Sequence, residues 1–278
     1  MIYAENMGNL EGSMTNPYVV VLGNEKGGTG KSTIAMHLSI YLLHSGFRVG
    51  TVDVDARQGT LTRYFEYRRT STIANLLLPT HFAIKKSDAE TIAEAKVEDG
   101  RDFHNAMEAL ADHDFVIIDT PGNDTFLSQL AHSYANTLIT PINDSFVDLD
   151  VLVNINGNDH RQLRPSIYAE MVWNQRKEHA KMGQKPIDWI VLKNRLTTLF
   201  NKNRNEINLV LDVLSKRIGF RICNGFCDRV VFKELFLSGL TLLDLEQSGQ
   251  QMSLSHVSAR QELRELIAFM KLPQLSEK

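Results

Sequence analysis

The segment Lys26-Gly-Gly-Thr-Gly-Lys-Ser-Thr33 has the composition of a phosphate cradle. Glycines let backbone N–H groups approach an anion where a Cβ would collide, and a helix start adds a favourable dipole. In such a loop Gly27, Gly28, Thr29, Gly30 and Thr33 surround the phosphates. Lys31 reaches the β and γ phosphates, and the Ser32 hydroxyl binds Mg²⁺. Carboxylates suited to the same chemistry follow two apolar runs. Asp53 and Asp55 stand at alternate positions and so point the same way in an extended chain. Close like charges call for a cation or hydrogen-bond donors. Asp119-Thr-Pro-Gly122 closes another run, where a carboxylate holds Mg²⁺ through water. Gly122 can offer its N–H to a terminal phosphate, coupling loop position to nucleotide state. A plain turn also uses Asp, Pro and Gly, so the phosphate loop carries the argument.

These groups need a frame that brings strand ends together. Tyr18 to Leu22 is a short valine-rich run that reads as a buried parallel strand. Ile34, Leu38 and Leu42 then recur every fourth residue, which predicts a helix from near Gly30, stopped at Gly46. Strand character returns over Phe47–Val54, Phe115–Ile118, Asn136–Ile142 and Trp189–Leu192. Helical spacing marks Phe103, Met107 and Leu110, and later Ile207, Val210, Leu211, Leu214 and Ile218. The expected fold class is α/β: a doubly wound, mostly parallel sheet with helices on both faces. Ligands of such sheets lie beyond the carboxyl ends of the strands. Residues 17–274 are expected to form one domain after a loose tail, residues 1–16, which lacks the layout of a signal peptide.

The 278 residues carry 30 Lys or Arg and 33 Asp or Glu, a formal charge of −3 that fits a globular chain. From Val151 to Leu235 the count is 15 basic against 8 acidic residues, and 15 against 25 elsewhere. Lys193, Arg195, Lys202, Arg204, Lys216, Arg217, Arg221 and Arg229 lie in that basic stretch, and are expected to offer a sequence-independent face for DNA phosphates. The bland alternative is scattered solvated charge. No run reaches transmembrane length. Cys223 and Cys227 are too few for a disulfide framework, which suits a cytoplasmic setting, and their C-x₃-C spacing is not that of a common zinc site.

One departure from the standard phosphate-loop fingerprint is informative. Glu25 stands where a glycine is usual, and Lys26 opens the loop. This pattern resembles the deviant Walker A motif of the ParA/MinD superfamily. Within it, Gly23–Ile34, Thr140–Asp148, Asp188–Leu196 and the stretch from Phe232 to Leu245 are similar to the MipZ family, with residues 70–102 the least diagnostic. The resemblance implies ATP with Mg²⁺ as ligands and an ATP-sandwich homodimer, with Lys26 reaching the partner's nucleotide. It implies that Asp55 orients the attacking water, that Asp53 belongs to the outer magnesium network and that Asn194 contacts adenine. It further implies a slow, dimerisation-dependent ATPase, associated with the nucleoid, that binds DNA non-specifically, inhibits FtsZ polymerisation and engages ParB to place division. A ParA-type partition ATPase shares the loop and the dimer; a metabolic ligase on this fold would need neither dimer nor DNA. No membrane partner is expected. The last helix aligns Leu263, Leu266, Ile267 and Met270, but its other face mixes Glu262 and Glu265 with Arg260 and Arg264, so packing against the core is the expected role.

Overall fold

The computed structural model describes residues 16–55, 58–143, 145–154, 164–196, 202–249, 251–273 and 275, without the side chains of 146, 147, 154 and 202–204. The expected tail lies outside the described residues but for Asn16, and so do the side chains of Lys202 and Arg204.

In chain order the elements are β1 (Tyr18–Leu22), α1 (Lys31–His44), β2 (Val49–Asp53), α2 (Thr60–Arg69), β3 (Thr80–Ala83), α3 (Ile92–Ala109), β4 (Phe115–Asp119), α4 (Phe126–Ser133), β5 (Thr137–Asn143), α5 (Phe146–Leu149), β6 (Val153–Asn154), β7 (Arg164–Pro165), α6 (Ile167–Lys181), β8 (Asp188–Asn194), α7 (Lys202–Leu214), β9 (Arg221–Asn224), α8 (Val231–Leu237) and α9 (Leu254–Met270). A π-helical turn, Ser215–Gly219, extends α7. Seven strands form one sheet in the order β3-β2-β4-β1-β5-β8-β9. All its pairings are parallel. β6 and β7 pair separately and antiparallel.

The continuous apolar strands reflect burial on both faces. Val19 and Val21 pack on one side with Phe103 of α3, Leu127 of α4, Val172 of α6 and Leu211 of α7. Val20 and Leu22 pack on the other with α1, with Leu61, Tyr64 and Phe65 of α2, and with Leu263, Leu266, Ile267 and Met270 of α9. Fully burying each such side chain contributes about 1.5–3 kcal/mol, so the last helix is held as a core element. β3 is the edge strand and none of its four residues is fully buried. It therefore lacks the apolar run that marks the inner strands.

A second lock is polar. Arg68 is fully buried and donates to both carboxylate oxygens of Asp244 at 2.8 Å, to the Leu77 carbonyl at 2.7 Å and to the Gly239 carbonyl at 3.0 Å. Gly239 has φ +66, and a Cβ there would lie 2.3 Å from the Arg68 nitrogen. That close approach joins the end of α2 to the segment after α8. Removing one partner of so buried a pair would leave the other charge stranded.

Candidate functional site

β1 is the central strand, and the segments leaving β1, β2, β4 and β8 meet at the carboxyl edge of the sheet. Parallel register sets Asp53 beside Asp119 and Leu22 beside Asp119. The phosphate loop leaves β1 and turns into α1 through Gly28 at φ +74 and Gly30 at φ +96. Both φ values are ones that glycine adopts without strain. At Gly30 space is limiting too, because a Cβ would lie 2.2 Å from the Asn194 side-chain nitrogen.

Asn24 organises the loop. Its side-chain nitrogen donates to the Pro141 carbonyl at 2.5 Å, and its oxygen accepts from the Lys26 N–H at 2.7 Å. Lys31 is buried, and its Nζ donates to the carbonyls of Asn24 at 3.2 Å and Lys26 at 3.0 Å. Burial lowers the Lys31 pKa, while Asp119 and Asp55 hold its charge from the other side. A cleft of about 730 Å³ opens here, lined by residues 27–33 with Asp55, Gln58, Thr60, Gly122 and Arg195. It adjoins a second cavity of about 380 Å³, lined by Thr60, Arg63, Asn194, Phe226, Phe232 and Lys233 among others.

The carboxylates fall into three environments. Asp119 is buried; burial and the nearby charge of Asp53 push its pKa up to about 8, against the lowering effects of a Ser32 hydrogen bond and Lys31. Its Oδ1 has no hydrogen-bond partner. An orphaned carboxylate oxygen beside the loop serine and lysine is what a cation site needs. Among the described residues no three His, Cys, Asp or Glu side chains are gathered to hold a metal ion by themselves. Mg²⁺ would therefore come with the nucleotide, on Ser32, phosphate oxygens and water ordered by Asp119. Asp55 lines the cleft, its Oδ1 accepting from the Gln58 N–H at 3.4 Å.

Asp53 is fully hydrogen-bonded within the chain. One oxygen accepts from the Asp55 N–H at 3.0 Å, and the other from the Thr62 N–H at 3.0 Å and the Thr62 hydroxyl at 2.8 Å. These bonds satisfy an orphan donor at the start of α2, so Asp53 caps that helix. His81 extends the chain: its Nε2 lies 3.0 Å from the Thr62 hydroxyl and its Nδ1 2.9 Å from the Thr51 hydroxyl. Since Thr62 gives its hydrogen to Asp53, Nε2 is the protonated ring nitrogen.

Gly122 is required by close approach. A Cβ there would lie 2.7 Å from the Gly27 nitrogen and 2.8 Å from its Cα. Lys26 turns toward its own chain, with Nζ 3.7 Å from the Asp148 carboxylate. Asn194 lines the smaller cavity, its amide nitrogen donating to the Thr29 carbonyl at 2.7 Å and its oxygen accepting from the Phe226 N–H at 3.0 Å. It braces the cavity wall to the phosphate loop.

The basic residues do not form one face. Arg195 lines both cavities, and Lys193 donates to Asn208 of α7 at 3.0 Å. Lys216 and Arg217 are exposed on the π-helical turn. Arg221 stands at the opposite edge of the sheet, bonded to both oxygens of Asp188 and to the Phe269 carbonyl. Arg229 is paired with Glu262. The charges of Arg221 and Arg229 are thus matched within the chain. Cys223 is a buried core residue, while Cys227 is half-buried at the smaller cavity.

Sequence reasoning gave no role to Asn24, Arg63, Thr120, His132 or Asp148. Asn24 and Asp148 lie within segments that carried the family resemblance. His132 had no sequence signal; it is buried, and its Nε2 would meet a Cβ at Gly23 at 2.2 Å. α4 is thereby wedged against the root of the phosphate loop.

A seven-stranded parallel sheet with helices on both faces, and a lysine-led phosphate loop leaving its central strand, is the fold shared with solved ATPases of the ParA/MinD type. Apo McdA of Cyanothece superposes with TM-score 0.62 at 17% identity, covering 91% of this chain and 99% of that one. MinD of Pyrococcus horikoshii, complexed with Mg-ADP, gives TM-score 0.55 at 15% identity, covering 94% and 98%. A putative plasmid partition protein of Borrelia burgdorferi bound to AMPPNP gives 0.55 at 14%, covering 91% and 99%. The family described as ATPase MipZ matches residues 18–274, and the chain belongs to that family. No curated protein sequence matches it. Among the described residues no helix is long and apolar enough to cross a membrane.

Proposed function

We propose that this chain is an ATP-driven dimerising switch that regulates placement of the division site. Its ATP-bound dimer inhibits FtsZ polymerisation and binds DNA without sequence preference on the nucleoid, and ParB engages it. The observation that carries the switch is the convergence of Lys31, Ser32, Asp55 and Gly122 on one cleft, with Asp119 buried behind Ser32. Family membership supports the division role.

Residues 27–33 cradle the phosphates with backbone N–H groups, and Lys31 balances their charge. Ser32, and Asp119 through ordered water, would hold Mg²⁺, which supplies neutralisation of phosphate charge when bound with ATP. Asp55 orients the attacking water. Gly122 reads the γ-phosphate, because only a glycine can stand that close to Gly27. Lys26 leaves Asp148 for the partner's nucleotide on dimerisation. Their ion pair, long and partly exposed, is worth about 0–1 kcal/mol, so the exchange costs little. Lys193, Arg195, Lys216 and Arg217 contact the DNA phosphates.

The test is pelleting of FtsZ polymers with GTP after adding the Asp55→Ala variant with ATP, which should accumulate as dimer. Loss of polymer supports the division role. Intact polymer, with a variant shown to dimerise, would move the assignment to a partition ATPase of the ParA type.

A further inference from the structure

Arg63 has no place in the chemistry above, yet it lines the smaller cavity while its hydrogen-bond partner Gln58 lines the larger. It lines the smaller one together with Gly30 and Thr33 of the phosphate loop. Its Nη2 donates to the Gln58 carbonyl at 2.8 Å. Gln58 and Gly59 in turn hold Asp55: the Gln58 N–H reaches the Asp55 carboxylate at 3.4 Å, and the Gly59 N–H reaches its carbonyl at 2.7 Å. A hydrogen-bonded chain therefore runs from the smaller cavity through Arg63 and Gln58 to Asp55.

The helix that carries Arg63 is held at both ends. Asp53 caps its first turn through Thr62, and the buried Arg68–Asp244 pair fixes its last turn. Arg63 itself is exposed, and among the described residues its Nε and Nη1 make no hydrogen bond. A guanidinium offers five donors in a planar fork. It can keep the Gln58 carbonyl on one arm and take a sugar or phosphate oxygen on another. The cavity it lines also holds Arg195 and Lys233, so an anionic ligand there meets several cations.

We propose that Arg63 is a positioning residue for ATP hydrolysis: it binds the sugar-phosphate part of the nucleotide and, through the Gln58 carbonyl, holds Asp55 in working position. The proposal rests on the reading of Asp55 as the water-orienting carboxylate. It makes a filled nucleotide cavity a condition for an ordered Asp55, so that polyphosphate without its nucleoside would not set the site.

The test uses the full chain with Arg63→Ala and Arg63→Lys. Displacing the carboxylate that orients water should lower kcat by about tenfold or more, while ATP affinity falls only a few-fold. Amide exchange at Gln58 and Gly59, slowed by AMPPNP in the wild type, should stay fast in Arg63→Ala with the analogue bound. Added ethylguanidinium should restore kcat in Arg63→Ala, which no global packing defect would allow. Arg63→Lys should keep most of the affinity and lose the amide protection, since a point charge cannot bridge two oxygens as a fork does. Unchanged kcat and unchanged exchange in Arg63→Ala overturn the proposal. So does a fall in affinity that accounts for the whole loss of rate with protection intact, because Arg63 would then be a binding residue only. If Asp55→Ala hydrolyses ATP at the wild-type rate, the reading of Asp55 fails, while the exchange data still decide whether Arg63 links the cavity to Gln58.

Discussion

Substituting Gly122 by alanine tests the idea that the segment after β4 reads the terminal phosphate. The new Cβ would stand 2.7 Å from the Gly27 nitrogen, 2.8 Å from the Gly27 Cα and 3.0 Å from the Lys26 carbonyl carbon. Carbon against backbone atoms settles near 3.5–4.0 Å, so the two segments must separate by about 0.8–1.3 Å. Overpacking of this size costs about 1–3 kcal/mol. Without nucleotide, the segments can move apart and shed most of that cost. With ATP both must close on the same phosphate, so the cost falls on binding. Converted at 1.4 kcal/mol per tenfold, ATP affinity should drop by about 5- to 150-fold. ADP lacks the γ-phosphate, and its affinity should change by less than about threefold on the same scale. Titration of Gly122→Ala with ATP and with ADP, in the Asp55→Ala background to prevent turnover, gives both numbers. An equal loss for the two nucleotides would show that Gly122 shapes the whole loop and reads no γ-phosphate. No loss for either would refute the steric argument.

Other substitutions address separate parts of the site. The Asp119 carboxyl is raised from 3.8 to about 8 in the folded chain, so the fold holds that proton more tightly than the unfolded chain does. Nucleotide-free stability should therefore fall as pH rises through that window. Asp119→Asn should flatten the fall, gaining about 5 °C in Tm at pH 8, roughly 2 kcal/mol at this chain length, and nothing at pH 4. Thermal scans across pH, where parallel curves for the two proteins would refute the assignment, settle it. Gly27→Val should fold and bind ATP normally, because nothing lies within 4 Å of the Cβ position, yet stay monomeric on light scattering with ATP; a normal dimer would dismiss the sandwich. Reversing Lys216 and Arg217 to Glu should weaken DNA binding about tenfold or more at low salt and flatten its salt dependence, with Tm unchanged. Arg221→Glu should instead lower Tm, by setting like charge against Asp188. If the first pair leaves DNA affinity intact, the DNA surface lies elsewhere.

The readings that survived from the sequence share a physical origin. A phosphate loop, a fully buried parallel strand and the stripe of α9 are each specified by residues close in the chain, through glycine conformation, β-branched runs and helical spacing. That the segments carrying Lys31, Asp55, Asp119 and Gly122 lie at one edge could be expected, because each follows an apolar strand and strand ends of a doubly wound sheet share one edge. β3 could not, because an edge strand buries too little to leave a pattern.

What only the tertiary structure decided are the pairings between distant segments. Register, not spacing, set Asp53 beside Asp119, and Thr62 then turned Asp53 into a helix cap. Asp188 and Glu262 turned Arg221 and Arg229 inward from a basic stretch that reads, along the chain, as one surface. The amide of Asn194 found Thr29 and Phe226, and Arg63 came to lie between the smaller cavity and the Gln58 carbonyl. A side chain's type fixes which bonds it can make. Which bonds it does make depends on neighbours tens or hundreds of residues away, and folding alone brings those to it.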